Sequence, residues 1–127
     1  MNTGTPLEGT ILANFTPIEA VTELQITNIT EGTGEEVKPG ATITAHYTGA
    51  LAKDGTIFQS SHDFGDAISF GLNQVITGWT EGVPGMKVGG VRRLTIPATK
   101  AYGAQSPAVN IPANSDLVFD IELVKIN

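Results

Sequence analysis

Residues Ser115–Ile126 read SDLVFDIELVKI, with Leu117, Phe119, Ile121 and Leu123 at every second position. Side chains alternate across a β-strand, so this spacing presents one apolar face to a core and leaves Asp120 and Glu122 on the other. It is the cleanest periodic signal in the chain. Antiparallel neighbours must supply the rest of a sheet, because the segments before it lack the strand–helix–strand alternation of parallel architectures.

Working towards the amino terminus, VGGVRRLTIPA (Val88–Ala98) has strand character, and its Arg92-Arg93 pair reads as a solvated face. ATITAHYTGAL (Ala41–Leu51) places Ile43, Ala45 and Tyr47 on one face and Thr42, Thr44, His46 and Thr48 on the other. Asp54-Gly55 signals a tight turn into TIFQSS, pairing these two runs as antiparallel neighbours. AISFGL puts Ile68, Phe70 and Leu72 on one side, and ELQITNI alternates Leu24 and Ile26 as a half-buried strand does. Only TGWTEGVPGM breaks the pattern. Thr77 is its candidate N-cap, Trp79 and Val83 share a face at i, i+4, and Pro84-Gly85 ends it after about two turns.

The predicted fold is therefore α+β, a five- to six-stranded antiparallel sheet around one short helix. Residues 1–22, rich in Thr, Gly and Pro, read as an extended leader or linker with room for an added edge strand; residues 23–127 form the domain proper. A 127-residue chain has room for one core.

Composition removes several function classes. A formal charge of -6 argues against nucleic-acid binding, which needs clustered cations. With no cysteine there is no disulfide, thiol catalysis or cysteine-ligated metal, and this leaves the compartment open. No run reaches the ~18 apolar residues of a membrane span, and Met1–Thr10 has no basic or apolar signal region. The chain reads as soluble, cytoplasmic or exported behind an upstream signal. Two Asn-x-Thr sequons, at Asn14 and Asn28, are short enough to arise by chance.

Ser60-Ser61-His62-Asp63 gathers a hydroxyl, an imidazole and a carboxylate in four residues. Adjacent residues point in successive directions, whereas a hydrolytic triad draws its members from separate segments, and no G-x-S-x-G elbow is present. The cluster reads as a surface turn in which Ser and Asp cap backbone groups. His46 and His62 show no metal-ligand spacing, so neither metal nor cofactor is expected. The aromatic set is the unusual feature: Tyr47, Phe58, Phe70, Trp79, Tyr102 and Phe119 fall on inward strand positions, on the helix or in the Gly-flanked loop beside it. Phe70 reads as ordinary core, while Tyr102 reads as a cleft residue with a hydroxyl donor.

At the level of whole motifs, ITAHYTG (Ile43–Gly49), DGTIFQSS, QVITGWTEGVPGMKVGGVRRLTIPATKAYG (Gln74–Gly103) and NIPANSDLVFDIELVKI (Asn110–Ile126) closely resemble the FK506-binding-protein family of peptidyl-prolyl cis-trans isomerases. The resemblance spans Leu24 to the carboxyl terminus. It implies a twisted antiparallel sheet wrapped around a short helix, with a proline pocket between them. It assigns Trp79 to the pocket floor, Tyr47, Phe58 and Phe119 to aromatic walls, and Val75 and Ile76 to the apolar edge, the Ile76 N–H being a backbone donor. Tyr102 OH matches a donor to a ligand carbonyl, and Ile111 matches a loop residue closing the site. At Ile68 the family often carries Phe, so a smaller wall is expected there. The implied activity is cis–trans isomerisation of X–Pro bonds in unfolded or flexible chains, assisting their folding. The implied partners are proline-containing peptides and macrolides such as FK506 or rapamycin, bound by a monomer.

One departure stands out. Gln59 occupies a position where the family usually has Asp, which keeps open the alternative of a weakly active or non-catalytic proline-binding scaffold.

Overall fold

A computed structural model describes residues 9–12, 15–63, 65–106 and 111–127. The Asn14 sequon lies outside these. Six strands form one antiparallel sheet: β1 (Gln25–Thr30), β2 (Thr42–Leu51), β3 (Ile57–Ser60), β4 (Ile68–Gly71), β5 (Val91–Ile96) and β6 (Leu117–Ile126). Their order is β1-β5-β6-β2-β3, with β4 also paired to β2. The helix α1 (Thr77–Gly82) sits between β4 and β5 in sequence, and single 3-10 turns occupy Ser61–Asp63 and Ala98–Lys100.

The alternation in β6 is realised as read. Leu117, Phe119, Ile121 and Leu123 are buried, and Glu122 is exposed. Register then builds the inner face, because β6 places Phe119 opposite Gly49 and Ile121 opposite Tyr47 on β2, and Phe119 opposite Leu94 on β5. In β2, Ile43, Ala45 and Tyr47 are buried, as expected from their shared face. The main core lies between this face and α1, where Trp79 and the C-cap Val83 are buried. Gly78 and Gly82 let the helix approach β5 closely: a Cβ at Gly78 would stand 2.6 Å from Ile96 Cδ1, and one at Gly82 2.8 Å from Leu94 Cδ2.

Several local expectations change. Thr77 is the first helical residue; the N-cap is Ile76, with no side-chain cap bond. β1 is exposed throughout, with Ile26 47% accessible, because an edge strand bonded only to β5 has no layer over it. Arg92 is 9% exposed rather than solvated. Its guanidinium donates to Asn28 Oδ1 (2.7 Å) and to the Gly82 and Pro84 carbonyls (2.8 and 3.2 Å), thereby serving the helix C-terminus. Arg93 forms a two-pronged ion pair with Asp120, at 2.6 and 2.8 Å.

The outer face also carries a core. Leu12 and Val21 pack with Ala50, Ala52, Ile57 and Val118, flanked by Phe15 and Ile18. The Ile57 N–H donates to the Thr10 carbonyl, and Leu12 and Ile18 N–H donate to the Gly55 and Ala52 carbonyls. Asp116 fastens this segment: Oδ2 accepts from the Val21 N–H and Oδ1 from the Ala98 N–H, both at 2.8 Å. Replacing Asp116 by Ala leaves both donors unmade. The expected loss is about 2–3 kcal/mol, read as a lower denaturant midpoint, and Asp116→Asn, which keeps one acceptor, should lose about half as much.

Candidate functional site

α1 and the inner face of β2, β3 and β6 leave a cavity of about 510 Å³, lined by Tyr47, Phe58, Gln59, Phe70, Gln74, Val75, Ile76, Trp79, Tyr102 and Phe119. Each side chain arrives from its own element. Tyr47 lies on the inward face of β2, Phe58 and Gln59 lie on β3, Phe70 on β4 and Phe119 on β6. Val75 and Ile76 lead into α1, which contributes Trp79, and Tyr102 follows the second 3-10 turn.

Trp79 is 3% exposed, with two rings standing on edge to it and a third tilted against it. Phe119 meets it at 5.3 Å and 84°, Tyr47 at 5.9 Å and 75°, and Phe70 at 4.9 Å and 56°. Phe58 packs edge-on against Phe119 at 5.7 Å and 86°. Edge-to-face pairs favour opposed ring quadrupoles and fix each ring against its neighbours, so the floor and walls are set before anything binds.

The polar groups are neutral. Tyr47 OH donates to Gln59 Oε1 at 2.6 Å. Burial, together with the neighbouring Tyr102 phenol, raises the Tyr47 pKa above its ordinary value, and burial raises that of Tyr102. Among the described lining residues there is no carboxylate, imidazole or cation. The Ile76 carbonyl accepts from Trp79 and Thr80 N–H, while its own N–H has no backbone acceptor among the described residues. An apolar slot with neutral donors at its mouth can hold a compact ring and bond one or two carbonyls.

Eight residues singled out from sequence thus converge here. Two do not line the cavity: Ile68 is part-buried against the core, and Ile111 is 6% exposed within it. The wall expected at Ile68 is made by Phe70, two positions along the same strand face, so the residue read as plain core is a cavity residue. Gln74 was also missed, since a polar residue before Val75 carries no periodic signal.

The Ser60–Asp63 cluster lies apart from the cavity. Ser60 and Ser61 are fully buried, not in a surface turn. Ser61 Oγ accepts the Tyr47 N–H at 2.8 Å and bonds His46 Nδ1 at 2.9 Å; Ser60 Oγ bonds Thr48 Oγ1 at 2.9 Å. These hydroxyls tie the end of β3 and the 3-10 turn after it to β2, and both are buried away from the cavity. His46 stacks on His62 at 4.3 Å. Among the described residues, no group of three or more His, Asp or Glu is placed to hold a metal ion, and no helix is long and apolar enough to cross a membrane.

A family model described as FKBP-type peptidyl-prolyl cis-trans isomerase matches residues 33–124. The FK506-binding protein of Neisseria meningitidis serogroup A is 47% identical over 105 residues, covering 81% of this chain and 95% of the relative. The peptidyl-prolyl cis-trans isomerase FPR2 of Saccharomyces cerevisiae is 48% identical over 90 residues, covering 69% of this chain and 67% of that one. Among solved structures, a peptidyl-prolyl cis-trans isomerase from Pseudomonas syringae pv. tomato superposes with a TM-score of 0.74 at 34% identity, covering 87% of this chain and 80% of that one.

Proposed function

The chain belongs to the FKBP-type peptidyl-prolyl cis-trans isomerase family, and we propose that its aromatic cavity seats the prolyl ring of an exposed X–Pro segment on Trp79, where the preceding amide twists. The observation that carries this assignment is a preformed cavity floored by Trp79, walled by aromatic rings and free of lining carboxylate, imidazole or cation among the described residues.

The barrier to rotation is about 18–20 kcal/mol because amide resonance must be lost. The twisted amide has less charge separation between oxygen and nitrogen than the planar one. Water stabilises the polar planar form; a slot of Tyr47, Phe58, Phe70 and Phe119 does so less, which lowers the gap to the twisted form. Ile76 N–H and Tyr102 OH are the donors in reach of substrate carbonyls, holding the flanking chain while the amide rotates. No nucleophile or proton transfer is needed. A 10⁴-fold acceleration corresponds to about 5.5 kcal/mol of preference for the twisted form. The substrates are proline-containing segments of unfolded or flexible chains. The same neutral slot suits FK506, the ligand in the Neisseria relative's name, and macrolides of its kind such as rapamycin.

The pH dependence tests this mechanism. Both lining phenols have folded pKa values raised above 10.0, so both stay protonated throughout the neutral range. Their contribution to stability is complete below pH 10 and lost as pH rises through the folded values. kcat/KM for a Leu–Pro peptide should therefore be flat from about pH 6 to 9. A sigmoidal or bell-shaped profile in that window would show a titrating catalytic group and refute the proposal.

A further inference from the structure

Resting on the isomerase reading of this cavity, we infer that Gln59 sets the enzyme's specificity for the residues flanking proline, admitting acidic and amide side chains as readily as basic ones. The polar lining consists of two phenols, Tyr47 and Tyr102, and two carboxamides, Gln59 and Gln74. Gln59 is exposed at the cavity mouth. Its Oε1 is committed to the Tyr47 hydroxyl at 2.6 Å, which orients the amide and leaves both Nε2 protons for an incoming acceptor.

A prolyl ring seated on Trp79 places the neighbouring substrate residues at that mouth. A glutamate or glutamine side chain there meets a neutral N–H₂ donor and no anion among the described lining residues, so its carboxylate or carbonyl is bonded instead of repelled. A lysine side chain meets no cation. The chain's overall charge of -6 acts only at a distance and is damped at physiological salt, where the screening length is about 8 Å. The substrate class implied is the X–Pro segment bearing an acidic or amide residue beside proline, alongside apolar X–Pro.

The test compares kcat/KM for Leu–Pro, Gln–Pro, Glu–Pro and Lys–Pro peptides by exchange spectroscopy, for the wild type and Gln59→Glu. The variant keeps an oxygen for the Tyr47 hydroxyl and turns only the N–H₂ group into an anion. In the wild type, Glu–Pro should fall within fivefold of both Gln–Pro and Lys–Pro, and the Lys–Pro to Glu–Pro ratio should change less than twofold between 20 and 300 mM salt. In Gln59→Glu that ratio should rise about tenfold. A wild-type penalty against Glu–Pro above fivefold, strong salt dependence of the ratio, or a ratio that Gln59→Glu moves less than fivefold would overturn the inference. The wild-type arms decide it should the variant not fold. Leu–Pro separates the two levels: catalysis of Leu–Pro without the predicted flank pattern removes the specificity claim alone, whereas no catalysis of any peptide removes the isomerase reading as well.

Discussion

Trp79→Ala is expected to lower kcat/KM for a Leu–Pro peptide at least 100-fold, a loss of about 2.7 kcal/mol in transition-state binding, and to destabilise the fold by about 3–5 kcal/mol. Both effects have one origin. The indole is buried beneath Tyr47, Phe70 and Phe119, each of which touches its ring. Its removal takes away the surface on which the prolyl ring rests and leaves those three walls without support. The two effects can be separated through the indole nitrogen, whose buried N–H has no acceptor among the described residues. Phenylalanine carries no such donor, and so Trp79→Phe escapes the desolvation penalty while shrinking the floor. Its stability should fall by less than about 2 kcal/mol, and its activity should drop about tenfold, measured by denaturant titration alongside the peptide assay. Equal activity in wild type and Trp79→Ala would remove the indole from the site.

Gly49→Ala should close the pocket from behind, reducing kcat/KM at least 30-fold at a stability cost of about 1–3 kcal/mol. A Cβ at position 49 would lie 2.6 Å from Phe58 Cζ and 2.7 Å from Phe119 Cε1. Both rings line the cavity, and register holds Gly49 directly opposite Phe119. The added methyl therefore drives at least one wall ring inward, into the space a prolyl ring needs. Shortening one ring relieves the clash, so Gly49→Ala combined with Phe58→Leu should recover more stability than activity. That split distinguishes a displaced wall from general unfolding.

How far the sequence discloses this structure depends on whether a residue's partner is local in pattern. β6 is legible because its alternation follows from one covered face, and the same logic places Tyr47 in β2 and Phe119 in β6. Val118 breaks the rule by being buried on the opposite face. Its cover comes from Leu12, Phe15, Ile18 and Val21, which are scattered without period through a Gly- and Pro-rich stretch. Ile26 fails the other way, since alternation reports where a side chain points and not whether anything covers it; on the β1 edge no described residue does. The helix start misled for a related reason: Thr77 has the chemistry of a cap, but the chain enters α1 through extended Ile76.

Within the cavity, Tyr47, Phe58, Trp79, Tyr102, Phe119 and Gln59 are legible through motif resemblance, and Gln59 takes its meaning from the structure. As an isolated departure it raised the question of lost activity. With its Oε1 accepting from Tyr47 OH, it supplies an acceptor for that phenol and a neutral donor at the mouth. Phe70 shows the limit of pattern: core and cavity wall share one strand face, and only the packing of α1 against the sheet decides which part stays open.

The most direct test is the cis-to-trans relaxation of a Leu–Pro peptide, followed with and without micromolar protein at neutral pH. The uncatalysed process takes tens to hundreds of seconds. A neutral aromatic pocket that prefers the twisted amide should accelerate it in proportion to protein concentration, and Trp79→Ala should remove that acceleration. Relaxation at the uncatalysed rate in the presence of folded wild-type protein would contradict the account.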